Sequence, residues 1–310
     1  MEAAVGTPLL LGLLAGAILS GTSLLYATLG ETIVERSGIV NLGLEGVLLV
    51  GASVGFAVAD VSGSAWAGLA AAGAAGAAMN LLFGWLVVTR KANQLASGLA
   101  VMFFGFGASA LVGAPHVGAV IAGLPKWRPS WLAEWSWVKS TTLFNYDVLT
   151  WLAIPVAVLV WWALFRTRWG LGLRAVGENP AAAFASGRDP AALQYQALPL
   201  GGLLGGLAGA HLSLSLAGTW AEYMTAGRGF IAIALVIFSK WDPLRAIAGA
   251  LLFGGAEALQ LQLQARGSLI SPFVLEMTPY LLTLAVLLAW GGARRLAAPA
   301  MLGRTFYGSN

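Results

Sequence analysis

Pro8 to Leu29 reads PLLLGLLAGAILSGTSLLYATL, an apolar run long enough to cross the roughly 30 Å of a bilayer's hydrocarbon, which takes about 20 helical residues. Barrel strands alternate apolar and polar residues over about ten positions. Nothing here alternates that way, so the run reads as helix. Only Glu2 precedes it as a charge, with no basic segment, and the chain passes straight into a second apolar run. The expectation is a retained span rather than a cleaved leader. Working outward, further runs fall at about 39–59, 64–88, 95–113, 149–165, 196–217, 243–264 and 273–291, eight with the first. Phe230 to Phe238 is too short to cross and reads as a broken or re-entrant piece, of the kind that lines a cavity inside a membrane protein. The fold class expected is all-α: a polytopic transmembrane helix bundle of about eight spans plus that short helix, with residues 1–310 as a single domain.

The rest of the composition agrees. Of the 310 residues 58% are hydrophobic and 10% charged, against roughly 25% charged in an ordinary soluble domain, and the mean hydropathy is +0.80. A soluble globule is excluded. The absence of cysteine removes disulfides, thiolate nucleophiles and iron–sulfur clusters, and two histidines, His116 and His211, do not make a metal centre. The net charge of +4 does not point to nucleic acid, because the Lys and Arg lie scattered in short inter-span loops.

Orientation follows from those loops. Arg36, Arg90, Lys91, Arg166, Arg168, Arg174, Arg188, Lys240, Arg245, Arg294, Arg295 and Arg304 fall on one side, and Lys126, Arg128, Lys139, Arg228 and Arg266 on the other. The basic excess marks the cytoplasmic side, so the N-terminus is expected outside and the C-terminus in the cytoplasm. The loop 114–148 is then extracytoplasmic. Its Trp127, Trp131 and Trp135 share an i, i+4 face, and residues 126–137 are expected to lie on the lipid as an interfacial helix. In the third run, Ala65 to Ala78 is almost wholly Ala and Gly, which suits close helix packing within lipid.

Ionisable groups at bilayer depth need a partner or a purpose. The densest set lies in Gly30 to Gly46, GETIVERSGIVNLGLEG. Glu31 to Ser37 reads as a turn in which Glu35 and Arg36 meet water. Asn41 and Glu45 are four apart, would share one helix face, and sit inside an apolar run, so they are read as lining a polar pathway whose helix the glycines break. A second set, Thr219 to Phe230, includes Glu222 and Thr225 beside the short helix and is suited to holding a neutral, hydrogen-bonding solute; Glu222 is also placed to pair with Arg228. Asn80, His211, Glu257 and Gln260 read as satisfied helix contacts.

The cytoplasmic loop 167–195 carries Glu178-Asn179-Pro180, then alanines including Ala183, then Gly187. Asn179 is suited to N-cap a short helix, with Pro180 at its first position and Gly187 ending it. Such a helix has little to bury against its own chain and is expected to offer a face of small side chains to a partner protein. Here the sequence resembles a known family. Glu178 to Gly187, with Leu198-Pro199, looks like the coupling loop of bacterial ABC importer permeases. Gly30 to Gly46 and Thr225 to Pro243, TAGRGFIAIALVIFSKWDP, are similar to the permeases of nucleoside importers served by basic-membrane-protein-type lipoproteins. The likeness covers about residues 20–290; one departure is Ser239-Lys240-Trp241, where relatives commonly have Gly-Arg-Trp.

The resemblance implies a plasma-membrane permease subunit, paired with a second and longer permease, served by an extracytoplasmic lipoprotein and docked on a cytoplasmic ATPase through the helix of Pro180 to Gly187. ATP and Mg would be bound by that ATPase, with no cofactor in this chain. The sequence agrees independently, since no lysine among Lys91, Lys126, Lys139 and Lys240 follows a glycine as a phosphate-binding loop requires. Branched-chain amino acids or sugars remain alternative solutes. A proton-coupled transporter built on Glu45, Glu222 and Glu257 is a further alternative, whereas an intramembrane enzyme lacks a nucleophile with its base.

Overall fold

The computed structural model describes residues 9–135, 138, 142–267, 270–290 and 298–304, and every element among them is helical apart from one isolated β-bridge. In chain order the helices are α1 Leu9–Arg36, α2 Leu44–Ser62, α3 Ala65–Gly84, α4 Gln94–Gly113, α5 Ser130–Ala133, α6 Val148–Arg166, α7 Arg168–Glu178, α8 Pro180–Ala185, α9 Pro190–Ala210, α10 Arg228–Phe238, α11 Pro243–Ala265, α12 Pro272–Glu276 and α13 Thr278–Trp290. Helices α3 and α9 run on into π-helical turns, Trp85–Thr89 and His211–Ala217.

Seven of these helices are long and apolar enough to cross a membrane. The eighth expected span, 273–291, is divided instead into α12 and α13. Pro279 offers no amide to bond back toward Leu275, so the chain restarts there. The short helix expected at 230–238 is present as α10.

The core is built on close approach of backbones. A Cβ on Gly76 of α3 would stand 2.2 Å from the Gly202 carbonyl of α9, and one on Gly206 would stand 2.1 Å from that of Ala72. Helix α2 closes on the same stripe, where a Cβ on Gly209 would meet the Leu48 carbonyl at 2.0 Å. The small-residue run of the third span therefore packs as its composition requires. Helix α1 meets α11 in the same manner, through Gly21 against Ala250 and Gly254 against Ala17.

Two expectations about the first loop are overturned. Helix α1 does not end near residue 29 but continues to Arg36, because Gly30 is no break: it lets α1 lie on Gly201, whose carbonyl a Cβ would meet at 2.6 Å. Glu31 and Glu35 are consequently buried, 1% and 2% exposed, rather than in a watery turn. Trp241 donates its indole N–H to Glu35 at 2.5 Å, and the Arg36 guanidinium donates to the Trp241 carbonyl. The break comes at Gly38, at φ +89°. From there residues 37–43 fold back into the bundle, so α2 starts at depth and Asn41 precedes it. Asn41 and Glu45 therefore share no helix face. Asn41 instead donates its backbone N–H to Glu31 and its side-chain amide to Asn80, while its Oδ1 accepts from Gly43 N–H.

Among the described residues the expected interfacial helix begins only at α5, Ser130–Ala133, rather than at Lys126. Pro129 fixes its own φ and pushes Arg128 to extended backbone, and Trp127 pairs in antiparallel fashion with Tyr146. Trp131 and Trp135 remain exposed; Ser136, Trp137 and Lys139 lie outside the described residues.

At the opposite end, α7 turns through Asn179 into α8, the short helix expected, and the two form an elbow. Asn179 caps α8 by accepting from Ala182 N–H, and Gly187 closes it at φ +80°. The chain's last described segment, 298–304, clasps this elbow: Met301 N–H donates to the Gly177 carbonyl and Ala300 N–H to Glu178. Gln94 accepts from Val40 N–H and donates to the Arg304 carbonyl. Together with the Arg36–Trp241 contact, these bonds gather the loops bearing the basic residues at one end of the bundle. Arg294 and Arg295 lie outside the described residues.

Candidate functional site: a broken-helix junction

Helix α10 begins inside the bundle, after an irregular segment in which Tyr223 and Ala226 take positive φ and Gly227 caps the helix at φ +80° with no side-chain cap of its own. The first amides of any helix lack partners within it. Here Glu45, in the first turn of α2, supplies them: Oε1 accepts from Gly227 N–H at 2.8 Å and Oε2 from Gly229 N–H at 2.6 Å. Thr225 donates its hydroxyl to Oε1 at 2.5 Å. Glu45 and Thr225 are both buried. A carboxylate at a helix N-terminus is favourable in itself, and this one serves two such ends, since α2 starts from it and α10 starts onto it. Gly229 is required by the approach, because a Cβ there would lie 2.6 Å from the Glu45 backbone.

Arg228, between those two glycines, turns the other way. Its guanidinium pairs with Glu257 of α11 and donates to the Met224 carbonyl at 3.4 Å. Its Nε is buried with no hydrogen-bond partner among the described residues. Two cavities adjoin this ion pair and both are lined by it. One, of about 290 Å³, has Leu24, Ile231, Phe253, Gln260 and Tyr280 on its other walls. The other, of about 340 Å³, includes Ser20, Thr219, Met224 and Leu261. Tyr280 is fixed by donating its hydroxyl to the Ala226 carbonyl at 2.6 Å. Glu257 lies fourteen positions into α11 and eight before its end at Ala265, about 21 Å and about 12 Å along it at 1.5 Å per residue, so the pair is set within the span and nearer the end at Ala265.

The structure thus unites two of the four expected pathway residues, Glu45 and Thr225. Asn41 lies in the turn before α2, bonded to Glu31, Asn80 and Gly43, and none of Asn41, Glu45 and Thr225 lines either cavity. Glu222 is exposed, and Arg228 takes Glu257 instead of it. Sequence reasoning undervalued Glu257 and Gln260; the available signal was an acidic residue and an amide at i, i+3 in the middle of an apolar helix.

A second buried network lies at the N-terminal end of α6. Asp147 caps that helix through Leu149 and Thr150 N–H and accepts from the hydroxyls of Thr150 and Ser215. His211 Nε2 lies 3.5 Å from the Asp147 carboxylate and 3.2 Å from the Thr150 hydroxyl. Burial pushes the Asp147 carboxyl up, but the hydrogen bond and charge of His211, together with Ser215 and Thr150, hold it well below the usual carboxylate range. This network ties α6 to the π-helical end of α9. His211 is thus a helix contact, but not the fully satisfied one expected, since its buried Nδ1 has no hydrogen-bond partner among the described residues. Among the described residues no three His, Cys, Asp or Glu side chains form a metal-sized group.

Comparison with known proteins sets this geometry in context. A family model described as branched-chain amino acid transport system / permease component matches residues 12–290. The chain is 36% identical to a Haloferax volcanii protein provisionally named glucose ABC transporter permease protein TsgC13, over 95% of this chain and 97% of the relative. It is 31% identical to the guanosine ABC transporter permease protein NupQ of Bacillus subtilis, over 90% and 91% of the two chains. It is 33% identical to the nucleoside ABC transporter permease protein NupC of Lactococcus lactis, over 89% and 90%. No solved structure matches the chain.

Proposed function

The chain belongs to the family of branched-chain amino acid transport system permease components, and on that premise we propose that this membrane-spanning subunit of an ABC importer passes a nucleoside inward across a bacterial plasma membrane. The observation that carries the reading is the junction at Glu45 and Arg228, where irregular backbone opens on cavities at membrane depth. A cavity walled by Leu24, Ile231, Phe253 and Tyr280, with a few convergent polar groups, suits a flat heterocycle better than a polyol, whose hydroxyls ring the whole molecule. Two relatives named for nucleosides, alike over nearly their whole length, support the same choice. The relative named for glucose keeps a sugar as the second reading.

The chain is the translocation subunit and not the catalytic one. In this proposal ATP and Mg bind a separate cytoplasmic ATPase, a second permease completes the pathway, and an extracytoplasmic lipoprotein delivers the solute. The ATPase docks on α8, whose outward face differs from the one expected. Ala183 is 2% exposed, packed with Pro180 against the chain itself, so a charge there would test internal packing. The free face carries Glu178, Asn179, Ala181 and Ala185, with Phe184 as its one large side chain, 53% exposed. An exposed aromatic on a short cytoplasmic helix is a natural anchor.

Phe184→Glu in the reconstituted importer should therefore weaken docking: losing an aromatic anchor worth about 2 kcal/mol weakens the complex roughly thirtyfold. Co-purification of the ATPase and ATP-dependent uptake of labelled guanosine are the measurements. Wild-type uptake of glucose but of no nucleoside, or a fully active Phe184→Glu complex, would each refute the corresponding part. Orientation has its own check. A cysteine at Ser186 should resist an impermeant thiol reagent in intact cells, while one at Val120, which is 81% exposed at the other end, should react. The reverse pattern inverts the topology.

A further inference from the structure

The ion pair between Arg228 and Glu257 is more than a helix contact by its position. It lies between two cavities, keeps part of each side chain open to them (16% and 19% exposed), and leaves the Arg228 Nε buried and unmatched. Cavities of about 290 and 340 Å³ are at the lower end of the roughly 300–1,000 Å³ typical of small-molecule sites. The pair carries no net charge. It offers acceptors and donors side by side, which a neutral ligand with donors and acceptors on adjoining edges can bridge without stranding either charge.

We propose that Arg228 and Glu257 form the base-recognition subsite of the pathway. The Glu257 carboxylate accepts from the N–H groups of a nucleobase edge and the Arg228 guanidinium donates to its carbonyl oxygen and ring nitrogen. For guanine, the N1 and N2 hydrogens face Glu257 while O6 and N7 face Arg228, the donor and acceptor logic that bidentate side chains use on base edges. Phe253, Ile231 and Leu24 supply the apolar wall for the ring faces. Gln260, one helical turn from Glu257, is placed for a ribose hydroxyl. When no solute is bound, the two charges close on each other, so each passing base is exchanged against the ion pair. Occupancy is thereby kept weak, as transport requires.

This inference rests on the nucleoside reading, and its test separates the two. The complete importer, reconstituted with its partner subunits, is assayed at saturating solute so that delivery is not limiting, with guanosine compared against purine riboside, whose base has no exocyclic group and no edge N–H. Wild type should favour guanosine by about tenfold, the scale of one well-formed charged pair on a base edge. The double variant Arg228→Gln, Glu257→Gln removes both charges together and so leaves neither orphaned. In it the ratio should fall to about one while the melting temperature is kept. A lone Arg228→Lys should reduce the ratio part-way, because the planar fork is lost. Nucleoside uptake in which both solutes slow equally, leaving the ratio unchanged, overturns the subsite and leaves the functional reading intact. Wild-type uptake of glucose or leucine with no nucleoside overturns that reading and the subsite with it.

Discussion

Glu45→Leu should lower the stability of the folded subunit sharply. The carboxylate holds the Thr225 hydroxyl and the amides of Gly227 and Gly229, and leucine leaves all three buried without an acceptor. Hydrogen bonds to a charged group contribute about 1.5–3 kcal/mol each in water-soluble proteins, whereas interhelical bonds within bilayers average nearer 0.6 kcal/mol. Between those limits the expected loss is about 2–5 kcal/mol. It should appear as a lower melting temperature of the purified subunit, with Glu45→Gln intermediate because one carbonyl oxygen survives. Had Glu45 simply lined the pathway, as its place in an apolar run implied, an apolar replacement would spare stability and slow uptake alone. A Glu45→Leu protein that melts like wild type would return it to that role.

A larger loss is expected from Gly206→Val. Three helices meet at this glycine: a Cβ would lie 2.1 Å from the Ala72 carbonyl of α3, and the Gly206 carbonyl itself lies 2.5 Å from where a Cβ on Gly51 of α2 would stand. These neighbours are backbone and do not rotate away, so α3 and α9 must separate. Overpacking typically costs about 1–3 kcal/mol, and a clash with the α3 backbone at Ala72, on a helix whose other side is held close to α2, belongs above that range. The folded, monodisperse fraction on size-exclusion chromatography should fall to near nothing. Gly107→Val, in α4 with open space around its Cβ position, should stay within about 0.5 kcal/mol of wild type. Equal yields of the two variants would show that the α3–α9 contact is looser than described.

What could be read from the chain depended on how locally each feature is determined. The cap at Asn179, Pro180 at the first turn and the stop at Gly187 are settled within ten residues, and α8 appears where they place it. The small-residue stripe in α3 was legible because it admits only close packing. The burial of Glu35 was not, since the groups that satisfy it and Arg36 belong to Trp241, some 200 positions away. Asn41 was misplaced for a subtler reason: the Gly43 amide is taken by its side chain just before α2 starts, and a four-residue spacing cannot tell a helix from a turn that precedes one. Glu257 met Arg228 rather than remaining a lone helix contact because α10 is half a span long and brings residue 228 down to it.

The meeting of α2 and α10 at Glu45 has an electrical consequence. Each helix presents an N-terminus equivalent to roughly half a positive charge, and the two together match the single negative charge of Glu45. Arg228 and Glu257 cancel in the same way beside them. On the pathway proposed above, neither of these two arrangements carries a net charge on which a transmembrane voltage could act, although each elementary charge carried across would feel about 2.3 kcal/mol per 100 mV. An uncharged solute taking that proposed route would displace no current here, and the membrane's polarisation would neither help nor hinder it at this point.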